Sequence, residues 1–141
     1  MNKKILDSIQ LLKTAGFSYT VVPAQQKDSH VVKTIVFKKK SDDTPIAVAL
    51  PLEHRVCYKK LRELVAGPVS ALSPDELAQL GWLPGECCPL TINCALFVDE
   101  SVLKSSEIHT GSGDILFGLR YSVDALQQLR PDIHIVSLCK E

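Results

Sequence analysis

Long apolar runs are missing from this chain of 141 residues. None approaches the roughly 18 residues that a membrane-spanning helix needs, so no membrane partner is expected. A CxxC pair is also missing. The cysteines (Cys57, Cys87, Cys88, Cys94 and Cys139) are odd in number, and the histidines (His30, His54, His109 and His134) are scattered. Neither pattern matches the ligand spacings of a zinc site, so no metal is expected, and no motif asks for a cofactor. No charge of one sign prevails, because 16 basic residues balance 16 acidic ones. A protein that grips many phosphates carries a basic excess. Any RNA contact should therefore be local and modest in affinity, and DNA is not an expected partner. The first residues, MNKKILDSIQLLKTAG, mix charge with apolar side chains. They lack the uninterrupted apolar core and cleavage site of a secretory signal. Together with the odd cysteine count this predicts reduced thiols and a cytoplasmic location.

What is present is ordinary globular material, 45% hydrophobic and 23% charged. The length suits one domain spanning residues 1–141. Ile5, Ile9 and Leu12 lie at helical spacing and Gly16 is a stop, which predicts a helix over 3–15. Phe17 to Val22 reads as a short strand, followed by the polar loop 23–30. Val31–Phe37 and Pro45–Leu50 flank the turn formers KKKSDDT and predict a hairpin. Tyr58 to Ala66 suits a helix ending at Gly67. Ser73-Pro74-Asp75-Glu76 combines a serine cap, a proline at the first helical position and a capping-box glutamate, so a helix to about Leu80 follows. Gly81 to Thr91 is turn-rich. Ala95–Val98 reads as a strand, residues 99–101 open a short helical turn, and Glu107–His109 is a strand end. Ile115–Tyr121 reads as a strand, Ser122 caps a helix to Leu129, and Ile133–Leu138 closes as a strand. This irregular alternation predicts an α+β (mixed α/β) fold. Its centre would be a curved mixed sheet or partial barrel, flanked by short helices.

Three segments could carry chemistry. In Val31-Val32-Lys33-Thr34-Ile35-Val36-Phe37, strand alternation puts Lys33 on the face of Val31, Ile35 and Phe37. A lysine there must reach a cavity or a partner, or else snorkel to water. In Gly85-Glu86-Cys87-Cys88-Pro89-Leu90, glycine and proline fix a loop whose amides could face a ligand as an oxyanion hole; the same pattern also makes a plain turn. Cys87 and Cys88 have no convincing His/Asn arrangement beside them, which favours buried, inert thiols over nucleophiles. Gly111-Ser112-Gly113, just after His109, either lets backbone approach a substrate or forms an ordinary turn. His54, Arg55, Lys59, Lys60 and Arg62, with the run Lys38 to Lys40, offer a basic edge for RNA or a merely solvated face.

Taken in order, VVKTIVF, PIAVALPLEHRVCYKKLRELVAG, ALSPDELAQLGWLPGECCPL, ALFVDESVL and HTGSGDILFGLRYSVDAL resemble the YbaK family. This is the superfamily of the prolyl-tRNA synthetase editing domain, and the likeness runs from about residue 17 to 130. The resemblance implies a YbaK-like fold and an aminoacyl-tRNA deacylase, a trans-editing hydrolase acting on alanine or cysteine misattached to proline tRNA. It implies catalytic roles for Lys33 and Gly85 and substrate-binding roles for His54, Pro89, Gly111, Ser112 and Gly113. The implied partners are the acceptor end of aminoacyl-tRNA and a tRNA synthetase. The nucleophile would be water or a group of the substrate. The chain departs from the family pattern in its short 23–30 segment, in Thr91 after Leu90, and in Leu52-Glu53-His54 where Gly-Asp-His is common. The alternative is a catalytically inactive module of the same fold that binds aminoacyl-tRNA, a nucleotide or a protein partner.

Overall fold

A computed structural model describes residues 1–26, 28 and 30–140 of the chain. The order of elements is α1 (Lys3–Thr14), β1 (Thr20–Pro23), β2 (Val32–Lys39), β3 (Pro45–Pro51), α2 (Tyr58–Val65), β4 (Val69–Ala71), α3 (Pro74–Gln79), β5 (Ala95–Asp99), a 3-10 turn (Glu100–Lys104), β6 (Glu107–Gly111), β7 (Phe117–Ser122), α4 (Val123–Leu129) and β8 (His134–Val136). A five-stranded sheet runs β4-β2-β3-β5-β8, and a three-stranded sheet runs β1-β7-β6. The first is mixed: β2 is antiparallel to β3 and β4, whereas β3–β5 and β5–β8 are parallel. A parallel bridge between Val31 and His109, backed by the His109 amide donating to the His30 carbonyl, joins the two sheets without closing a barrel.

β3 lies inside the larger sheet and is apolar on both faces, as a strand covered on both sides must be. Ala47 and Ala49 face one core, while Ile46, Val48 and Leu50 face another. The first core fills the space between the two sheets, α1 and α4; Ile5, Ile9 and Leu12 of α1 and Ala125 and Leu126 of α4 enter it. The second core lies on the opposite face beneath α2, whose Leu61 is fully buried beside Val56 and Leu138. Truncating a leucine in such a site costs about 2–5 kcal/mol.

The caps act as expected for α3, where Ser73 and Glu76 exchange both capping-box hydrogen bonds. They differ at α2: the left-handed residue is Ala66 (φ 58°), and Gly67 follows it. The strand expected at Phe17 begins only at Thr20, since the preceding residues still close the end of α1 through the Phe17 amide. β4 was not anticipated; it is three residues long and forms by pairing with Phe37–Lys39.

Candidate functional site

β4 pairs with β2 only over Phe37–Lys39, plus the Leu72 amide donating to the Val36 carbonyl. Antiparallel ladders alternate the direction of backbone groups, so Thr34, two residues before Val36, points its N–H and C=O towards the same edge, where β4 has ended. Between this edge and the turn-rich loop lies a cavity of about 210 Å³. Val31, Val32, Lys33 and Thr34 of the β2 region form one wall, and Gly85 and Cys87 of the loop another. His109, Thr110 and Gly111 from β6 and Phe117 and Gly118 from β7 supply a third, with Ala24 and Leu52 at the rim. Thr34 shares the face of core residues Val32 and Val36. Its hydroxyl oxygen is buried and has no hydrogen-bond partner among the described residues, which is costly unless a ligand or water supplies one.

The loop wall is built from close backbone contacts. Gly85 adopts φ +84°, a region that favours glycine. A Cβ at Gly111 would overlap the Cys87 carbonyl, so only glycine lets β6 lie against the loop. The Gly113 amide donates to the Glu86 carbonyl at 2.9 Å. The amides of Gly85, Cys87 and Cys88 donate to no described residue.

Two cations hold this loop from behind. Lys4 Nζ of α1 lies 2.5 Å from the buried Glu86 carboxylate, donates to the Gly81 carbonyl and sits 4.7 Å from the centre of the Trp82 ring. The buried Arg130 donates to the carbonyls of Pro89 (2.7 Å), Ile92 (3.0 Å) and Cys94 (2.9 Å), and a two-point contact with Asp132 orients it.

Of the residues singled out in the sequence, Lys33, Gly85 and Gly111 meet in this lining. Lys33 follows the expected alternation and shares a face with Ile35 and Phe37. Standing at the open edge of β2, it borders both the cavity and a second hollow beside those two residues. The other four do not line the cavity. His54 is exposed, with Nδ1 3.1 Å from Cys139 Sγ. Pro89 is buried, and its carbonyl is taken by Arg130. The Ser112 hydroxyl donates to the Phe117 carbonyl at 2.7 Å and accepts from the Asp114 amide, which shapes the β6–β7 turn. Gly113, at φ +98°, leaves room for Lys4, whose Cβ a side chain there would strike.

Thr34, His109 and Gly118 escaped the sequence reading as site residues. The His109 ring is 4% exposed and occupies the space where a Gly118 Cβ would lie. Its Nδ1 is 3.6 Å from the Asp28 carboxylate, which is also 3.8 Å from the Arg120 guanidinium. Burial works to raise the Asp28 pKa. The His30 amide, Arg120 and His109 outweigh it and hold the carboxyl below its ordinary value. A threonine on an apolar strand face was the one available signal for Thr34. The His109–Gly118 fit is a cross-strand relation that no linear spacing announces.

Cys87 lines the cavity, but burial first, and the neighbouring Glu86 charge second, push its thiol up to about 11. It therefore keeps its proton at neutral pH and is a poor nucleophile. Burial raises Cys88 as well. Among the described residues no group of three His, Cys, Asp or Glu side chains is placed to hold a metal ion, and no helix is long and apolar enough to cross a membrane.

Fold and cavity together define a small α+β protein with a backbone-walled pocket at the junction of two sheets. The aminoacyl-tRNA editing domain family matches residues 15–129, and the chain belongs to that family. No curated protein sequence matches it. Among solved structures, one of a protein proposed to be a trans-editing enzyme for prolyl-tRNA synthetase superposes with a TM-score of 0.83 at 19% identity, covering 100% of this chain and 99% of that one. A hypothetical protein superposes with a TM-score of 0.82 at 20% identity over 94% of this chain and 99% of its own. A third, described as a candidate signal transduction protein from Marinobacter aquaeolei VT8, gives 0.79 at 12% identity, with 100% of this chain matching 31% of that longer one. At these identities the likeness is one of fold.

Proposed function

We propose that the chain, as one YbaK-like domain over residues 1–141, is a cytoplasmic trans-editing hydrolase. It would deacylate mischarged tRNA of the alanyl- or cysteinyl-tRNA(Pro) type, with a tRNA synthetase as a further partner. The observation that carries the reading is the meeting of Lys33, the Gly85 loop and Gly111 around one cavity in a member of an editing family. At about 210 Å³ the cavity is smaller than the roughly 300–1,000 Å³ of pockets for drug-sized ligands, and it suits a small aminoacyl group. Such a site meets a physical need. A synthetase discriminates a difference of one methylene by only about 1–3 kcal/mol, so a second, smaller pocket must supply the rest.

In this reading the aminoacyl group enters between β6 and the loop. The ester carbonyl oxygen faces the free amides of Gly85 and Cys87, and Lys33 at the mouth holds the terminal phosphate or carbonyl region. Water attacks the ester carbon, with a group of the substrate itself taking up its proton, and collapse of the tetrahedral intermediate breaks the acyl–oxygen bond to release the free amino acid. The negative charge that develops on the carbonyl oxygen is stabilised by the amides, each such donor contributing on the order of a hundred- to a thousandfold. The free tRNA hydroxyl leaves with a proton, so no protein nucleophile is required, in keeping with the protonated Cys87.

The test is to incubate the protein with alanyl- and cysteinyl-tRNA(Pro) and follow ester loss. Turnover that disappears in Lys33→Ala, with the fold intact by circular dichroism, is the expected result. Absence of turnover on a panel of mischarged tRNAs would overturn the hydrolase and favour a binding module.

A further inference from the structure

On the Ile35–Phe37 face of β2 lies the second hollow bordered by Lys33, about 460 Å³ in volume and more open than the cavity. Its floor is apolar, formed by Ile35, Phe37, Val56 and Ala71, with Tyr58 on one side. Its charged lining residues are Lys33, Arg55 and Lys140, and among the described residues no acidic one lines it. None of these three cations makes an ion pair with a described residue. Other basic residues of this region are engaged: Lys38 pairs with Glu76 and Asp43, and Lys60 donates to Ser137 and the Cys139 carbonyl.

The arrangement is fixed by the backbone. Val56 and Cys139 form an antiparallel bridge, and the Lys140 amide donates to the Arg55 carbonyl at 2.7 Å, so Arg55 and Lys140 stand side by side. Tyr58 opens α2 and is 45% exposed, yet its ring is held edge-on to Phe37 at 5.6 Å and 83°. A pre-oriented aromatic face beside cations over an apolar floor is the pairing that single-stranded nucleic acid uses, with bases stacked on rings and phosphates on cations. In a protein of zero net charge this hollow is a local basic site.

The geometry points to this hollow as the docking surface for the single-stranded 3′ end of tRNA. The penultimate nucleotides would stack against Tyr58, with their phosphates on Arg55 and Lys140, while the esterified amino acid occupies the adjoining cavity across Lys33. The assignment of that RNA rests on the editing reading above.

The experiment measures binding and turnover separately. A fluorescent, uncharged single-stranded RNA with the sequence of a tRNA 3′ end is titrated by anisotropy against wild type, Arg55→Glu, Tyr58→Ala and Tyr58→Phe, each checked for folding by circular dichroism. Loss of the stacking ring should weaken binding roughly five- to a hundredfold, and Tyr58→Phe should restore it. Arg55→Glu, an exposed change independent of the Phe37 contact, should weaken binding and lower the slope of log affinity against log salt by about 0.7 for each phosphate that is no longer neutralised. With mischarged tRNA, Arg55→Glu should raise KM and leave kcat nearly unchanged. Wild-type affinity and KM in both Arg55→Glu and Tyr58→Ala would overturn the surface, even if turnover persists. So would a poly-glutamate peptide bound as tightly as the RNA. If no mischarged tRNA is turned over but the binding pattern holds, the hydrolase reading falls and the RNA surface stands.

Discussion

The two hollows that share Lys33 are built in opposite ways. The cavity depends on glycine and on a braced loop: Gly111 and Gly118 leave room for the Cys87 carbonyl and the His109 ring, Gly85 turns the loop at φ +84°, and Lys4 and Arg130 pin the loop from behind. The open hollow beside Tyr58 is bordered by long side chains whose charges have no partner among the described residues. The first arrangement can aim dipoles at a fixed point with little reorganisation, which is what stabilising a transient charge requires. The second can adapt to a flexible polyanion and be screened by salt. Substitutions behind the cavity should therefore act on stability and kcat, and substitutions around the open hollow on KM and salt dependence.

The strongest challenge to that contrast is Arg130→Ala. It leaves the carbonyls of Pro89, Ile92 and Cys94 without their donor. It should cost about 3–5 kcal/mol in urea unfolding; a loss under 1 kcal/mol would show that the loop stands without its clamp. Next is Gly111→Ala, which forces β6 away from the Cys87 carbonyl. Displacing the loop donors should lower deacylation on the order of a hundredfold, and unchanged kcat would remove the loop from the chemistry. Asp99 sharpens the comparison from the other side, because it anchors the segment that carries Lys140. Its buried carboxylate accepts from the amides of Leu138 (2.7 Å), Cys139 (3.1 Å) and Ser101 (3.0 Å) and from the Ser101 hydroxyl. Burial opposes ionisation, but these donors prevail and hold its pKa below the ordinary value. The stability it contributes is thus complete above the unfolded carboxylate value of about 3.9 and is lost as pH falls through the lower folded value. Asp99→Asn should cost about 1–3 kcal/mol at neutral pH and flatten the acid limb of the stability profile; an unchanged limb would contradict the assignment. Lys4→Met, which frees Glu86, should lower kcat about tenfold with KM little changed, a loss of about 1.4 kcal/mol of transition-state stabilisation. The smallest effect belongs to Cys87→Ser, under about threefold, since a thiol that keeps its proton is not the nucleophile. A loss as large as that of Lys33→Ala would reverse that view.

Much of this fold was legible in the sequence because its signals are local. The α1 stripe Ile5, Ile9 and Leu12, the Ser73–Glu76 capping box and the uninterrupted apolar run of β3 each follow from periodicity or from one cap. What was not legible depends on partners far along the chain. β4 exists only because Phe37–Lys39 pairs with it, and Ala66 rather than Gly67 turns left-handed because that closes the bond to Arg62. At the site, Lys33 and the Gly85 loop could be singled out by residue type. The imidazole of His109 fits where Gly118 has no side chain, and Pro89 is a structural anchor whose carbonyl Arg130 holds. Both are facts of tertiary contact, to which residue spacing is blind.

The family match begins at residue 15, just past α1, and every residue lining the cavity lies within 15–129. A protein trimmed to the matched segment would retain each lining side chain and still lose Lys4, the strut behind Glu86, together with the Asn2 hydrogen bonds to Gly113 and Asp114. Its pocket would be whole on paper and slack in solution. For this chain the working unit is the matched segment plus the helix that braces it at one end and Arg130 just past the other.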